Sequence, residues 1–196
     1  MLDLYKHECI LFGEFKLTSG LTSPYYIDLR ITPSFPQLFK KIINVYKEHV
    51  SPLKPEVIAG IATAGLPLAS VLAYEMSLPL VYVRKEERKH GTKKLVEGFV
   101  KPGAHTIIVD DVATTGGSIV RAVRELRNIG LNVKYAVVLV DREQGAVEKL
   151  KELNVELKPI LKVSDLIRIL YEEKVIDSSI YNRVTEYIRR WKTSGI

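Results

Sequence analysis

The chain has 196 residues, with 29 Lys or Arg against 23 Asp or Glu and a formal charge of +6. Hydrophobic residues make up 46% and charged residues 27%, which excludes disordered, collagen-like and low-complexity classes and leaves room for one sizeable core. Cys9 is the only cysteine, so an internal disulfide and a cysteine zinc site are both excluded. The four histidines (His7, His49, His90, His105) are scattered and form no metal motif. A reducing, cytoplasmic setting fits this usage. The first ten residues carry charges where a secretory leader needs an apolar run. Residues 57–74 are uncharged, but Gly60, Gly65 and Pro67 punctuate them, so they read as strand, turn and helix of a soluble core.

The elements follow in chain order. Residues 1–12 read as a short helix, and Tyr25–Leu29 as a strand after the turn residues Ser23-Pro24. Pro36 suits the first position of a helix running to about His49. Then an alternating pattern sets in. Strands are expected at Val57–Ile61, Leu80–Val83, Thr106–Asp110 and Lys134–Val140, with a further one at Glu156–Leu161. Helices are expected near 65–76, 117–128 and 144–153. Apolar strands alternating with helices imply a mainly parallel sheet covered on both faces, whose ligands sit at the carboxyl ends of the strands. The last 30 residues look helical. Ile180, Val184, Ile188 and Trp191 share a face that suits core or dimer contact. No repeat or linker divides the chain. One domain over 1–196 is expected, with a core at about 36–160 and a small hood from about 1–35 plus the C-terminal part.

The positive charge is concentrated. Residues 84–94 hold six basic residues against two acids, which is +4 of the +6. A compact basic segment suits a small, highly charged anion at least as well as a long polyanion. A solvated surface loop is the bland alternative.

The most informative stretch is Thr106-Ile-Ile-Val-Asp-Asp-Val-Ala-Thr-Thr-Gly-Gly-Ser-Ile119. A buried strand ends in Asp110 and Asp111, a loop of small residues follows, and then a helix begins. Loop N–H groups and the helix N-terminus favour a phosphate dianion. Thr114, Thr115 and Ser118 add hydroxyls. The two carboxylates can accept hydrogen bonds from sugar hydroxyls or engage Mg²⁺ directly or through water. The string is neither a Walker A loop nor a dinucleotide fingerprint.

This string resembles the 5-phosphoribosyl-1-diphosphate (PRPP) signature of type I phosphoribosyltransferases. Three further segments resemble the orotate phosphoribosyltransferases. Phe15–Arg30 is similar to their N-terminal segment, with Ser19-Gly20 and Ser23-Pro24-Tyr25 in register. Arg84-Lys85-x-x-Arg88-x-His90-Gly91 is similar to their mobile catalytic loop. Val140-Asp141-Arg142-Glu143 ends a strand where the family places an arginine for the base. The matches span about residues 12–145.

The resemblance implies a type I phosphoribosyltransferase α/β fold. It implies transfer of the 5-phosphoribosyl group from PRPP to orotate, giving orotidine 5′-monophosphate and diphosphate, in pyrimidine biosynthesis. Mg²⁺ would be carried by PRPP, with no protein metal ligands firmly assigned. The resemblance also implies a homodimer in which the loop 84–94 reaches into the partner's site; no nucleic-acid or membrane partner is expected, since the charge is concentrated in that segment and the one uncharged run is broken by glycines and a proline. By resemblance, Arg84, Lys85, Arg88 and His90 would meet the diphosphate, and His90 could carry charge or donate a proton. Asp110 and Asp111 would hold the ribose. Val112, Ala113, Thr114, Thr115, Gly116, Gly117 and Ser118 would bind the rest of PRPP, with residues 113–118 cradling its 5-phosphate. Arg142 and Thr114 would meet orotate. Lys85, Arg88, His90, Asp110 and Asp111 would carry the catalysis.

There are departures. Thr18 and Ala64 stand where many bacterial members have lysine, and Arg88 stands where lysine is usual, with Lys89 beside it. Two other readings remain: transfer to another base, and a PRPP-binding nucleic-acid regulator, which the basic composition keeps open.

Overall fold

The computed structural model describes residues 1–16, 20, 22–86 and 94–194. Helix α1 (Leu2–Lys6) leads into strands β1 (Ile10–Lys16) and β2 (Thr22–Ile27), which pair antiparallel as a two-stranded hood. The helix expected over 1–12 is thus only five residues long. It closes where Glu8 takes a left-handed φ of 57° and the Cys9 N–H bonds back to the Leu4 carbonyl. From Ile10 onward, hydrogen bonding across to β2 competes better than another helical turn. Strand β2 begins before the expected Tyr25. Pro24 is tolerated because it falls at the ladder's irregularity, between Phe12↔Tyr25 and Phe15↔Ser23.

Helix α2 (Pro36–Val50) opens on a proline as expected and buries Leu38, Ile42, Ile43, Tyr46 and Val50. Then come β3 (Val57–Ile61), α3 (Gly65–Met76), β4 (Leu80–Val83) and β5 (Val96–Glu97). Next are β6 (His105–Ala113), α4 (Gly117–Asn128), β7 (Asn132–Asp141), α5 (Ala146–Lys151) and β8 (Glu156–Lys162). The chain continues into α6 (Val163–Glu172) and α7 (Ser178–Ser194). Strands β3, β4 and β6 to β8 run parallel, and the short β5 adds an antiparallel edge; the order is β5-β4-β3-β6-β7-β8.

Period-2 alternation divides the core between the two faces of the sheet. Ile58, Ile107, Val109, Val137 and Leu139 pack with α2, α3, α6 and α7. Val57, Ala59, Ile61, Ile108 and Val138 pack with α4 and α5. Three of the four stripe residues join the core, since Val184 and Ile188 are buried and Ile180 packs against the same cluster; Trp191 instead sets its ring against Tyr187. The C-terminal helical region is two helices. Asp177 starts the second by accepting the Ile180 N–H at 2.8 Å. Helix α5 is shorter than expected, because left-handed φ angles at Glu143 (58°) and Gly145 (96°) keep Gln144 out of it.

Candidate active site

Chain connections run outward in opposite directions from β3 and β6: β3 leads to β4 on one side, and β6 leads to β7 and β8 on the other. That reversal opens the space beyond the carboxyl ends of β3 and β6, where ligands bind in such sheets. Two strand-to-helix turns meet there. One is Ala62-Thr63-Ala64, which feeds α3; its Ala62–Thr63 peptide bond is cis. The other is Thr114-Thr115-Gly116, which feeds α4.

The strand does not end at Asp110 and Asp111, as the sequence suggested, but runs past them to Ala113. Pairing with β7 continues through Asp110↔Val138, Val112↔Val140 and Ala113↔Asp141. Asp110 is buried and accepts the Asp111 N–H at 3.1 Å. Burial first, and the Asp111 charge second, push its carboxyl well above the usual carboxylate range. Burial also raises Asp111, against backbone hydrogen bonds and the nearby Arg30 charge that favour its ionised form. Both carboxyls are thus raised, Asp110 the more strongly. Tyr46, fully buried on α2, donates its hydroxyl to the Asp110 carbonyl at 2.6 Å. Gly65 packs so tightly that a Cβ there would stand 2.5 Å from Asp110 Oδ1 and 2.8 Å from the Val109 carbonyl.

Val112, Thr114 and Thr115 are half-buried, Ala113 and Gly116 are buried, and Gly117 and Ser118 are exposed. Gly116 takes the left-handed conformation (φ 77°) immediately before α4, where a Cβ would press on Ala146. No side chain caps α4, so the first N–H groups of this twelve-residue helix face the turn without an internal acceptor.

Arg142 follows β7 and is only 8% exposed. Its N–H bonds to the Ala113 carbonyl at 2.9 Å, which ties it to the turn after β6. Its guanidinium donates to Tyr25 Oη and Ser23 Oγ, both at 3.3 Å, and its central carbon lies 4.8 Å from the Tyr25 ring centroid. Ser23 Oγ in turn donates to the Tyr25 carbonyl at 2.7 Å. Among the described residues, no carboxylate lies within ion-pairing distance of this buried cation.

Arg84 is half-buried and bonds to Glu97 at 3.2 Å across the β4–β5 edge. Lys85 is exposed. Arg121 on α4 donates to the Lys85 carbonyl at 2.7 Å and the Arg84 carbonyl at 3.3 Å, and so holds the start of the basic segment. Arg88, Lys89 and His90 lie outside the described residues, as does Thr18; Ala64 immediately precedes α3.

The structure thus brings together Asp110, Asp111, the 112–118 turn and Arg142. Tyr46, Arg121, Ser23 and Tyr25 were not singled out as site residues from the sequence. Tyr46 carried a faint signal, a hydroxyl in an apolar helical stripe. Arg121 carried none, because its partners are backbone carbonyls.

Residues 30–165 match the model of the phosphoribosyl transferase domain family. The chain is 43% identical over 194 residues to the orotate phosphoribosyltransferase of Staphylothermus marinus, covering 99% of this chain and 95% of that one. The crystal structure of orotate phosphoribosyltransferase from Aeropyrum pernix superposes with a TM-score of 0.80 at 37% identity, covering 86% of this chain and 96% of that one. The structure of Leishmania donovani UMP synthase gives a TM-score of 0.87 at 34% identity; the match covers 96% of this chain but 41% of that longer one. The chain therefore belongs to the phosphoribosyltransferases and, within them, to the orotate phosphoribosyltransferase family.

Proposed function

We propose that this chain transfers the 5-phosphoribosyl group of PRPP to orotate, releasing diphosphate and orotidine 5′-monophosphate. The observation that carries the reading is the buried Arg142, which has no carboxylate partner among the described residues and lies one hydrogen bond from the turn after β6. An unpaired buried cation is costly, and a carboxylate on the acceptor base would complete it with a bidentate pair. Orotate brings such a carboxylate; uracil, hypoxanthine and adenine do not. Thr114, adjacent to Ala113, would meet the same base.

The remaining roles follow from position. Gly116, Gly117 and Ser118, with the uncapped start of α4 and the hydroxyls of Thr114 and Thr115, receive the 5-phosphate. Val112 and Ala113 line the approach. Asp111 accepts from the ribose hydroxyls, and its charge lies near the sugar carbon that becomes cationic as diphosphate departs. Asp110 braces it. Lys85, Arg88 and His90 receive the diphosphate when the loop closes, exclude water and offset its charge; His90 supplies a proton if one is needed. Arg84 sits at the loop's root, with its guanidinium bonded to Glu97.

The donor set fits Mg²⁺ arriving with PRPP. Among the described residues, no three His, Cys, Asp or Glu side chains gather to hold a cation alone. Asp110 and Asp111 are the carboxylates placed to engage a metal held by the substrate's oxygens. Bound there, Mg²⁺ would neutralise charge on the diphosphate.

The active form is a cytoplasmic homodimer of single-domain subunits sharing the loop 84–94. No helix among the described residues is long and apolar enough to cross a membrane. Mixing a Lys85→Ala chain with an Asp111→Asn chain tests the sharing. Hybrid dimers should regain part of the activity; no recovery after demonstrated subunit exchange would refute it.

A further inference from the structure

The three residues after β7 are gripped one by one. Arg142 is held by Ser23 and Tyr25 of the hood. The Glu143 carboxylate accepts the Ser164 N–H at 2.9 Å and pairs with Lys192 at 2.7 Å. Gln144 is buried and donates through Nε2 to Tyr187 Oη at 3.2 Å. Among the described residues its other amide atom, Oε1, is buried without a partner, so there the bond to Tyr187 alone holds the amide. Tyr187 also sets its ring against Tyr25, 5.9 Å between centroids and nearly perpendicular. It therefore touches both neighbours of the base-binding arginine: Tyr25, which takes the arginine's Nε, and Gln144, two residues further along the chain.

We propose that Tyr187, on the C-terminal helix α7, is a positioning residue for orotate recognition, acting on Arg142 through Tyr25 and Gln144. This rests on the reading of Arg142 as the carboxylate receptor. The hood and α7 come from opposite ends of the sequence. They meet at Tyr25 and Tyr187, so the geometry of the base site depends on α7 being docked. The effect should fall mainly on the base, because among the described residues no hydrogen bond or ring contact joins Tyr187 to the PRPP turn at 112–118, whereas such contacts join it to Gln144 and Tyr25.

The test compares Tyr187→Leu, Tyr187→Phe and Arg142→Ala in the full chain, measuring kcat, the KM for orotate, the KM for PRPP and the Tm. Tyr187→Leu removes both the ring contact and the hydroxyl. It should raise the orotate KM about tenfold, the joint worth of one aromatic edge contact and one hydrogen bond. Tyr187→Phe keeps the ring and should raise it about threefold. The PRPP KM should stay within about twofold in both. On an Arg142→Ala background, Tyr187→Leu should add no more than about twofold, because its route is already cut.

A merely structural role would lower Tm and leave both KM values alone. That result, equal rises in both KM values, or a full additive effect on Arg142→Ala would overturn the proposal. If Tyr187→Leu does not fold, Tyr187→Phe decides it, and an unchanged orotate KM overturns it. Should Arg142→Ala raise the orotate KM while the Tyr187 variants do not, this proposal alone falls. Should Arg142→Ala leave the orotate KM unchanged, the base-site reading falls and takes the proposal with it.

Discussion

Gly65→Ala is a small change with a large expected effect. A methyl group at residue 65 would lie 2.5 Å from Asp110 Oδ1, 2.8 Å from the Val109 carbonyl and 2.9 Å from Asp110 Cα. Real Cβ contacts essentially never come under 3.0 Å, so all three atoms must retreat, the carboxyl by at least half an ångström. Two of them are backbone atoms of the central strand β6, paired on both sides by β3 and β7, so no flexible side chain absorbs the shift. Overpacking of this kind costs about 1–3 kcal/mol. At about 2–4 °C per kcal/mol for a chain of this size, Tm should fall by about 2–12 °C. The displaced Asp110–Asp111 pair should lower kcat/KM for PRPP about 100-fold, the usual cost of an ångström-scale misplacement. Thermal unfolding and steady-state kinetics measure both. Gly117→Ala is the contrast, since its Cβ would meet nothing within 4 Å. It should keep its Tm while raising the PRPP KM, because the open space is where the phosphate would sit. A Gly65→Ala enzyme with unchanged Tm and unchanged kcat/KM would refute the packing argument.

Three other expectations follow from the same contacts. Folding raises the Asp110 and Asp111 pKa values, so the folded state binds more protons than the unfolded one from the ordinary carboxylate range upward, and stability falls as pH rises through that window. Asp110→Asn should therefore raise Tm by about 2–4 °C at neutral pH, for roughly 1 kcal/mol, and change it little near pH 4. The same variant should lower turnover, and a lower Tm at neutral pH would contradict the reasoning. Arg121→Ala frees the root of the basic loop and should cut kcat about tenfold with Tm nearly unchanged; unchanged kcat would show that the loop needs no such anchor. Burial pushes the Cys9 thiol up to about 11, so iodoacetamide should leave it unmodified at pH 8 until the protein is unfolded. Rapid labelling of the native protein would contradict its buried placement.

Much of the fold was legible because its signals are local. Val57–Ile61, Gly65–Met76, Leu80–Val83 and Gly117–Asn128 match their expected bounds residue for residue, each an apolar run or amphipathic stretch closed by a turn. Expectations failed where distant pairing decides. Residues 10–16 become a strand only because β2 lies opposite, and β6 runs past its two acids only because β7 continues beside it. The PRPP turn was legible as a string, since its chemistry needs small residues, hydroxyls and acids in one contiguous order. Tyr46, Arg121 and Tyr187 were not legible as site residues. Each acts across a long sequence gap, on a backbone carbonyl or a neighbouring ring, and no local pattern records such a partner.

The central claim is transfer to orotate, and one assay addresses it directly. Purified protein is mixed with PRPP, Mg²⁺ and orotate, and the loss of orotate absorbance is followed, with parallel mixtures containing uracil, hypoxanthine or adenine analysed for nucleotide product. The account predicts turnover with orotate alone, and its loss in Arg142→Ala. Turnover with another base, or tight PRPP binding with no turnover on any base, would contradict it.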